Sequence, residues 1–440
     1  MKKSILILAH TITFFLIFSQ LVFSQDFNQK NDTAANLLDE FFIPKTLRVD
    51  YFLAGDTKEQ TIYLNEMKQE PNWGGPHKNL VDPFTYGSYR YQAFDSLTGK
   101  LIFSRGFSTL FQEWKGTAEA GKVKKAFAQT AIMPFPKNTI RFVISERAFT
   151  DGRFYNRFEI FINPKDYFIN QEKPHPYPWI KFRNSGDPAQ KVDVAFIAEG
   201  YTEEEMSKFL LDAQQITEYF LNTSPYSEFR NRFNFYAILS PSNESGVDIP
   251  GKNLYSNTNM NSSFYTFDMD RYMTSFDTRS IYDIAANVPY DAIMILVNSN
   301  LYGGGGFFNH YAEVTSDNLW SKVVMVHEFG HSFAGLADEY VGNVSYSDSY
   351  NLKVEPWEPN ITTNVDFSSK WKNMVSSGTP VPTPRTEEYQ GSVGMFEGGG
   401  YMEKGIYSPF ENCRMKANDA PAFCPVCQQA IRRMILFYCD

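Results

Sequence analysis

Cysteine and excess positive charge are both scarce in this chain. The four cysteines, Cys413, Cys424, Cys427 and Cys439, all sit near the C-terminus, so any disulfide framework is confined to that end. Lys and Arg number 41 against 50 Asp and Glu, a formal net charge of −9. Without a basic patch or a Lys/Arg run, the chain lacks the electrostatic footprint of a nucleic-acid partner or an anionic membrane surface. Beyond residue 24 no apolar run approaches the roughly 20 residues that a spanning helix requires, so no membrane span is expected once the leader is removed. Internal repeats and low-complexity tracts are missing as well.

Aromatic residues are abundant, at 16% with Phe 40 and Tyr 26, and hydrophobic residues reach 43%. That supports sizeable cores with β-rich parts, and the length suggests two domains. At the start, Lys2 and Lys3 precede the apolar stretch 4–24, with Val22 and Ser24 at the −3 and −1 positions of a cleavage site. This reads as a secretory signal peptide over 1–24, and hence as an exported protein: secreted, periplasmic or held at the cell surface. A membrane anchor is the alternative, but polar residues interrupt the run and no basic stop-transfer cluster follows. In an oxidising compartment the four cysteines read as a local disulfide staple. A four-Cys zinc site is the rival, because Cys424 and Cys427 have ligand spacing.

Short alternating runs at 46–53, 88–95, 139–146 and 157–162, separated by Gly, Pro, Asn and Asp, predict an all-β sandwich over 41–165. The proline-rich tract 171–180 reads as a connector. After it, the continuous apolar run 192–200 predicts a buried strand, and 202–222 opens with a Thr202/Glu205 capping box before helical periodicity. Further strands at 233–240 and 290–299 complete an α/β domain with a mixed sheet over 171–440.

The stretch 326-VHEFGHSFAGLADEYVG-342 carries the chemistry. Residues four apart on a helix share a face, so His327 and His331 can offer two imidazole nitrogens to one metal. Glu328 lies beside them, placed to act on a water without ligating. Asp317 is the expected N-cap and Gly335 the terminator, after which 336-LADEY-340 can return a carboxylate. Two histidines and one carboxylate leave a position open, the pattern of a catalytic zinc site. A bare match to this motif also occurs on ordinary helices that bind nothing. Gly303 to Gly306 suit an edge strand along which a substrate backbone could pair, with Gly304, Gly305 and Gly306 as candidate contacts; a flexible loop is the plain alternative. His310 could touch substrate, although a surface histidine is the simpler reading. His77 and His175 have no metal spacing.

These residues resemble the metzincin branch of zinc peptidases, in particular members with Asp in a Gly-Leu-x-Asp context. One residue is extra, since Gly335 lies four after His331 where that clan places three. The resemblance implies Asp338 as the third ligand, with Glu339 as the alternative, and a Met-containing turn for which Met415 in 411-ENCRMK-416 is the candidate. An ordinary core methionine is the competing view of Met415. More closely, the blocks 303-GGGGFFNHYAEVT-315, 398-GGGYMEKGIYSPFENCRMK-416 and 423-FCPVC-427 resemble the bacterial IgA-specific metalloendopeptidases, and 47-LRVDYFLAG-55 and 107-FSTLFQEW-114 resemble their amino-terminal β domain. The resemblance implies a zincin/metzincin-like catalytic domain preceded by a β domain, one Zn(2+), a protein or glycoprotein substrate, and endopeptidase hydrolysis with Glu328 as base. A glycan- or protein-binding adhesin with a vestigial zinc domain is the function of a different class.

Overall fold

Alternation in the first strand buries the side chains that period two assigns to one face: Leu47, Val49, Tyr51 and Leu53 are all inside. They belong to β1 (Phe42–Gly55), which pairs antiparallel with β2 (Gln60–Glu70) and, on its other side, with β5 (Lys125–Pro136). A second antiparallel sheet runs in the order β4 (Leu101–Phe107), β3 (Tyr89–Asp95), β6 (Ile140–Arg147), β7 (Phe154–Ile162). The two-residue β8 (Ile169–Asn170) adds to the free edge of β2, and α1 (Leu37–Phe41) and α2 (Leu110–Lys115) are short accessories. The computed structural model describes residues 37–342 and 350–440; the expected signal, 1–24, lies outside the described residues.

Residues 171–178 have no regular structure, and a mixed six-stranded sheet follows. Its order is β13 (Gly304–Gly306), β14 (Tyr311–Thr315), β12 (Ala292–Val297), β10 (Val192–Glu199), β11 (Phe233–Ile238), β9 (Trp179–Arg183). The four inner strands are parallel and the two edges antiparallel. The apolar runs that read as buried strands are buried on both faces, as parallel strands require. Val194, Phe196, Met294 and Leu296 pack in one cluster with α3 (Met206–Asn222), α5 (Ser321–Ala334) and α6 (Pro425–Cys439). Ala195, Ile197, Ile293 and Ile295 face the opposite way, into a cluster that also contains Leu47 and Phe107 of the β sheets and Phe111 of α2. The amino-terminal β sheets and this face of the six-stranded sheet therefore share one core.

Covering also explains residues that alternation would send to solvent. Arg48 and Asp50 occupy the other face of β1, yet each is 1% exposed, because α4 (Thr278–Ala285) lies over them. Arg48 pairs with Asp50 at 2.8 Å, Glu70 at 3.3 Å and Asp283 of α4 at 2.7 Å. Burial pushes the Glu70 carboxyl up to about 7 despite Arg48 beside it. The Thr202/Glu205 capping box is present before α3. Asp317 does not cap α5; its carboxylate goes to Lys208 at 2.9 Å, and the helix begins after Trp320. A hairpin of β15 (Phe396–Gly399) and β16 (Met402–Ser408) completes the described elements. Among the described residues no helix is long and apolar enough to cross a membrane.

Candidate active site

Helix α5 does what the four-residue spacing predicts. His327 Nε2 and His331 Nε2 lie 3.0 Å apart. Each ring is fixed from behind: His327 Nδ1 donates to the Arg414 carbonyl at 2.9 Å and His331 Nδ1 to the Leu336 carbonyl at 2.6 Å. With both Nδ1 atoms engaged as donors, the lone pairs face the same point from Nε2. Gly335, at φ 65°, ends the helix in the left-handed region, and the chain folds back so that Asp338 returns to the histidines. Asp338 Oδ1 sits 3.1 Å from His327 Nε2 and 3.4 Å from His331 Nε2. Ligands at about 2.0–2.2 Å from a tetrahedral ion stand roughly 3.3–3.5 Å from one another, so the triangle has the size of a metal's donor set.

The electrostatics agree with the geometry. Burial works against charge on His331, but the Asp338 carboxylate overrides it and raises the imidazole to about 9; His327 moves the same way. Burial alone would lift Asp338, yet the two imidazoles hold it far below the usual carboxylate range. Asp338 Oδ2 accepts from the Tyr401 hydroxyl, and the Asp338 carbonyl from Gly400 N–H at 2.9 Å.

Glu328 brings a carboxylate oxygen within 4.8 Å of the imidazole nitrogens. Burial raises its carboxyl and the two histidines pull it back only in part. The glycines are explained here. A Cβ on Gly304 would stand 3.2 Å from Glu328 Oε1, and one on Gly306 would stand 3.2 Å from Glu328 Oε2 and 2.4 Å from the Glu328 carbonyl oxygen. Strand β13 thus lies flat against the glutamate because it has no side chains. Its outer edge is partly closed, since Tyr272 bridges to Gly304. The whole group opens into a cleft of about 940 Å³, lined from the β domain by residues such as Glu113 and Arg147 and from the catalytic domain by Tyr272, Tyr302 and Trp357.

The IgA Peptidase M64 family matches residues 180–390 and 385–435, and its Peptidase M64 N-terminus matches 38–159. The chain belongs to the IgA peptidase M64 family. No curated protein matches it. Membership gives the reaction class, peptide-bond hydrolysis of a protein substrate, and assigns both sequence halves to one recurrent architecture.

In this M64 peptidase other expected residues lie apart from the triangle. Glu339 points away from it, accepting from Asn360 Nδ2 at 2.9 Å and lying 3.0 Å from Cys427 Sγ. Met415 is buried under α5; a Cβ on Gly330, between the two histidines, would meet its Sδ at 3.0 Å. His310 is no surface residue: it is 7% exposed, with Nδ1 3.2 Å from the Tyr282 hydroxyl and Phe107 edge-on. The disulfide staple is also absent. All four cysteines are free, and the Cys413 and Cys427 sulfurs lie 3.7 Å apart. Tyr401 and the Arg414 and Leu336 carbonyls went unread in the sequence. Backbone acceptors leave no trace in residue type, and Tyr401 meets Asp338 only through tertiary packing.

Proposed function

We propose that the protein is an exported zinc-dependent endopeptidase with a metzincin-like site, acting on extracellular proteins or glycoproteins. The observation that carries the reading is the triangle of His327 Nε2, His331 Nε2 and Asp338 Oδ1, with its ring nitrogens tied to backbone carbonyls. These three would hold the zinc. When bound there, zinc supplies Lewis-acid activation of water and of the scissile carbonyl. Glu328 takes a proton from the attacking water at its carboxylate and delivers it to the leaving amine nitrogen. Its raised pKa suits a group that must hold that proton between the two transfers. The side-chain-free wall of Gly304 to Gly306 lets an extended peptide approach Glu328, and the cleft has room for several residues of it. The β domain contributes Glu113 to that cleft, where Tyr272 donates to it at 2.5 Å. An intact Glu328, half-buried beside the two histidines, speaks against the binding-only alternative.

Casein cleavage with and without chelator tests the reading, with Glu328→Gln as the partner experiment. The variant should keep its metal and lose activity by at least ~100-fold. Cleavage that survives complete chelation would refute zinc dependence, and loss of metal in Glu328→Gln would move that residue among the ligands.

A further inference from the structure

We propose that Glu339, Cys413, Cys424 and Cys427 form a second, structural metal site that takes a zinc ion and locks the segments carrying the first. Their donor atoms all lie within 4.8 Å of one another, although they come from three separate stretches of chain. Cys413 Sγ is 3.7 Å from Cys427 Sγ, and Glu339 Oε1 is 3.0 Å from Cys427 Sγ and 4.0 Å from Cys424 Sγ. A tetrahedral zinc with Zn–S near 2.3 Å and Zn–O near 2.1 Å has S···S edges of about 3.8 Å and S···O edges of about 3.5 Å. The four side chains need only small shifts to reach it.

Burial and bonding point the same way. Glu339, Cys413 and Cys427 are fully buried, Cys424 is 2% exposed, and Glu339 Oε2 has no hydrogen-bond partner. A buried carboxylate left with a bare oxygen among thiols is costly unless a cation joins it. The sulfurs also accept from backbone amides: Cys413 Sγ from Cys424 N–H at 3.2 Å and Met415 N–H at 3.5 Å, and Cys424 Sγ from Cys427 N–H at 3.5 Å. Amide donors favour thiolates, and a sulfur-rich tetrahedron selects zinc. A disulfide would use two of the three thiols and leave the third, with Glu339, unexplained. The fourth cysteine takes no part, since Cys439 Sγ lies against the Arg232 carbonyl at 3.8 Å. Binding would send the thiol protons to solvent. The N-terminus of α6, the Asn360 amide and the field of Lys416 temper the remaining negative charge.

The site is contiguous with the first. Glu339 follows Asp338 and donates its N–H to the Met415 carbonyl at 2.7 Å; Cys413 precedes Arg414, whose carbonyl orients His327. An ion here would fix both segments at once.

Full-length protein purified without chelator, but with a thiol-protecting reductant, should carry two ions per chain by native mass spectrometry and elemental analysis. A His327→Ala/His331→Ala variant should keep one, and its cobalt-loaded form should show thiolate-to-cobalt charge-transfer absorption. Cys427→Ser should lose that ion; should this variant fail to fold, the histidine variant still decides. A single wild-type ion that disappears with the histidines would overturn the proposal. So would alkylation without reductant revealing a disulfide among the three cysteines in air-purified protein. A single ion that survives the histidine variant would instead uphold this site and remove zinc from the peptidase reading.

Discussion

Replacing His310 with glutamine separates a structural histidine from a substrate-binding one, and the pH dependence gives the answer. The ring is enclosed by Tyr282 and Phe107, with Arg105 close by, and its Nε2 has no hydrogen-bond partner. Burial, with Arg105 adding, pushes its pKa down to about 3. In the unfolded chain an imidazole titrates near 6.5. Between these values the unfolded state binds a proton that the folded state refuses, so stability falls as pH falls. The contribution is complete above pH ~6.5 and declines by about 1.4 kcal/mol per pH unit toward a ceiling of about 5 kcal/mol. By pH 4.5 the wild type should have lost about 3 kcal/mol through this residue alone. Glutamine does not titrate, and the other buried acids are common to both proteins, so the difference between the two isolates the histidine. Denaturant unfolding at pH 7, 5.5 and 4.5, with chelator throughout, should show the wild-type advantage shrinking by that amount. A difference that stays constant with pH would refute the buried-neutral assignment. A tenfold rise in KM with unchanged stability would restore the substrate role.

Two further substitutions probe the first site. Asp338→Ala leaves two imidazoles without their carboxylate and should weaken metal binding by more than ~100-fold, measured by titration of the apoprotein; unchanged affinity would move the third ligand elsewhere. Gly306→Ala puts a methyl 2.4 Å from the Glu328 carbonyl oxygen. It should cost about 1–3 kcal/mol of stability and lower kcat by ~10–100-fold as Glu328 shifts, while full activity with an unchanged melting point would show that the close packing is unimportant.

Where function depends on local spacing, it was legible in the sequence. His327, Glu328 and His331 lie on one helix, so residue type and a 3.6-residue period are enough to bring them together, and Gly335 marks its end. The buried strands of the mixed sheet were readable for a similar reason, since unbroken apolar runs have no face for water. What escaped depends on partners far away in the chain. Arg48 and Asp50 look like a solvent face until α4 covers them. His310 looks exposed until Phe107 of the β domain and Tyr282 of α4 enclose it. The cysteines look like partners of one another because they are neighbours in sequence, whereas the fourth member of their cluster, Glu339, comes from the turn after α5, more than 70 residues earlier in the chain.

That last arrangement also answers which of two adjacent acids serves the histidines. From Ala337 to Gly342 the backbone is tied on both sides: Asp338 O and Tyr340 O accept from Gly400 and Tyr401, Gly342 N–H reaches Tyr401 O, and Glu339 N–H reaches Met415 O. A chain held by neighbours on both edges sends successive side chains to opposite faces. Asp338 therefore turns to the cleft and its histidines, and Glu339 to the buried thiols. The interval from Gly335 to Asp338 fixes the register in which this alternation begins. Shifting it by one residue would exchange the two acids, placing a longer side chain beside the histidines and stranding the shorter one short of the sulfurs. Which acid faces the histidines and which faces the thiols is thus set by a single strand-like register, clamped between 400–401 and 413–415.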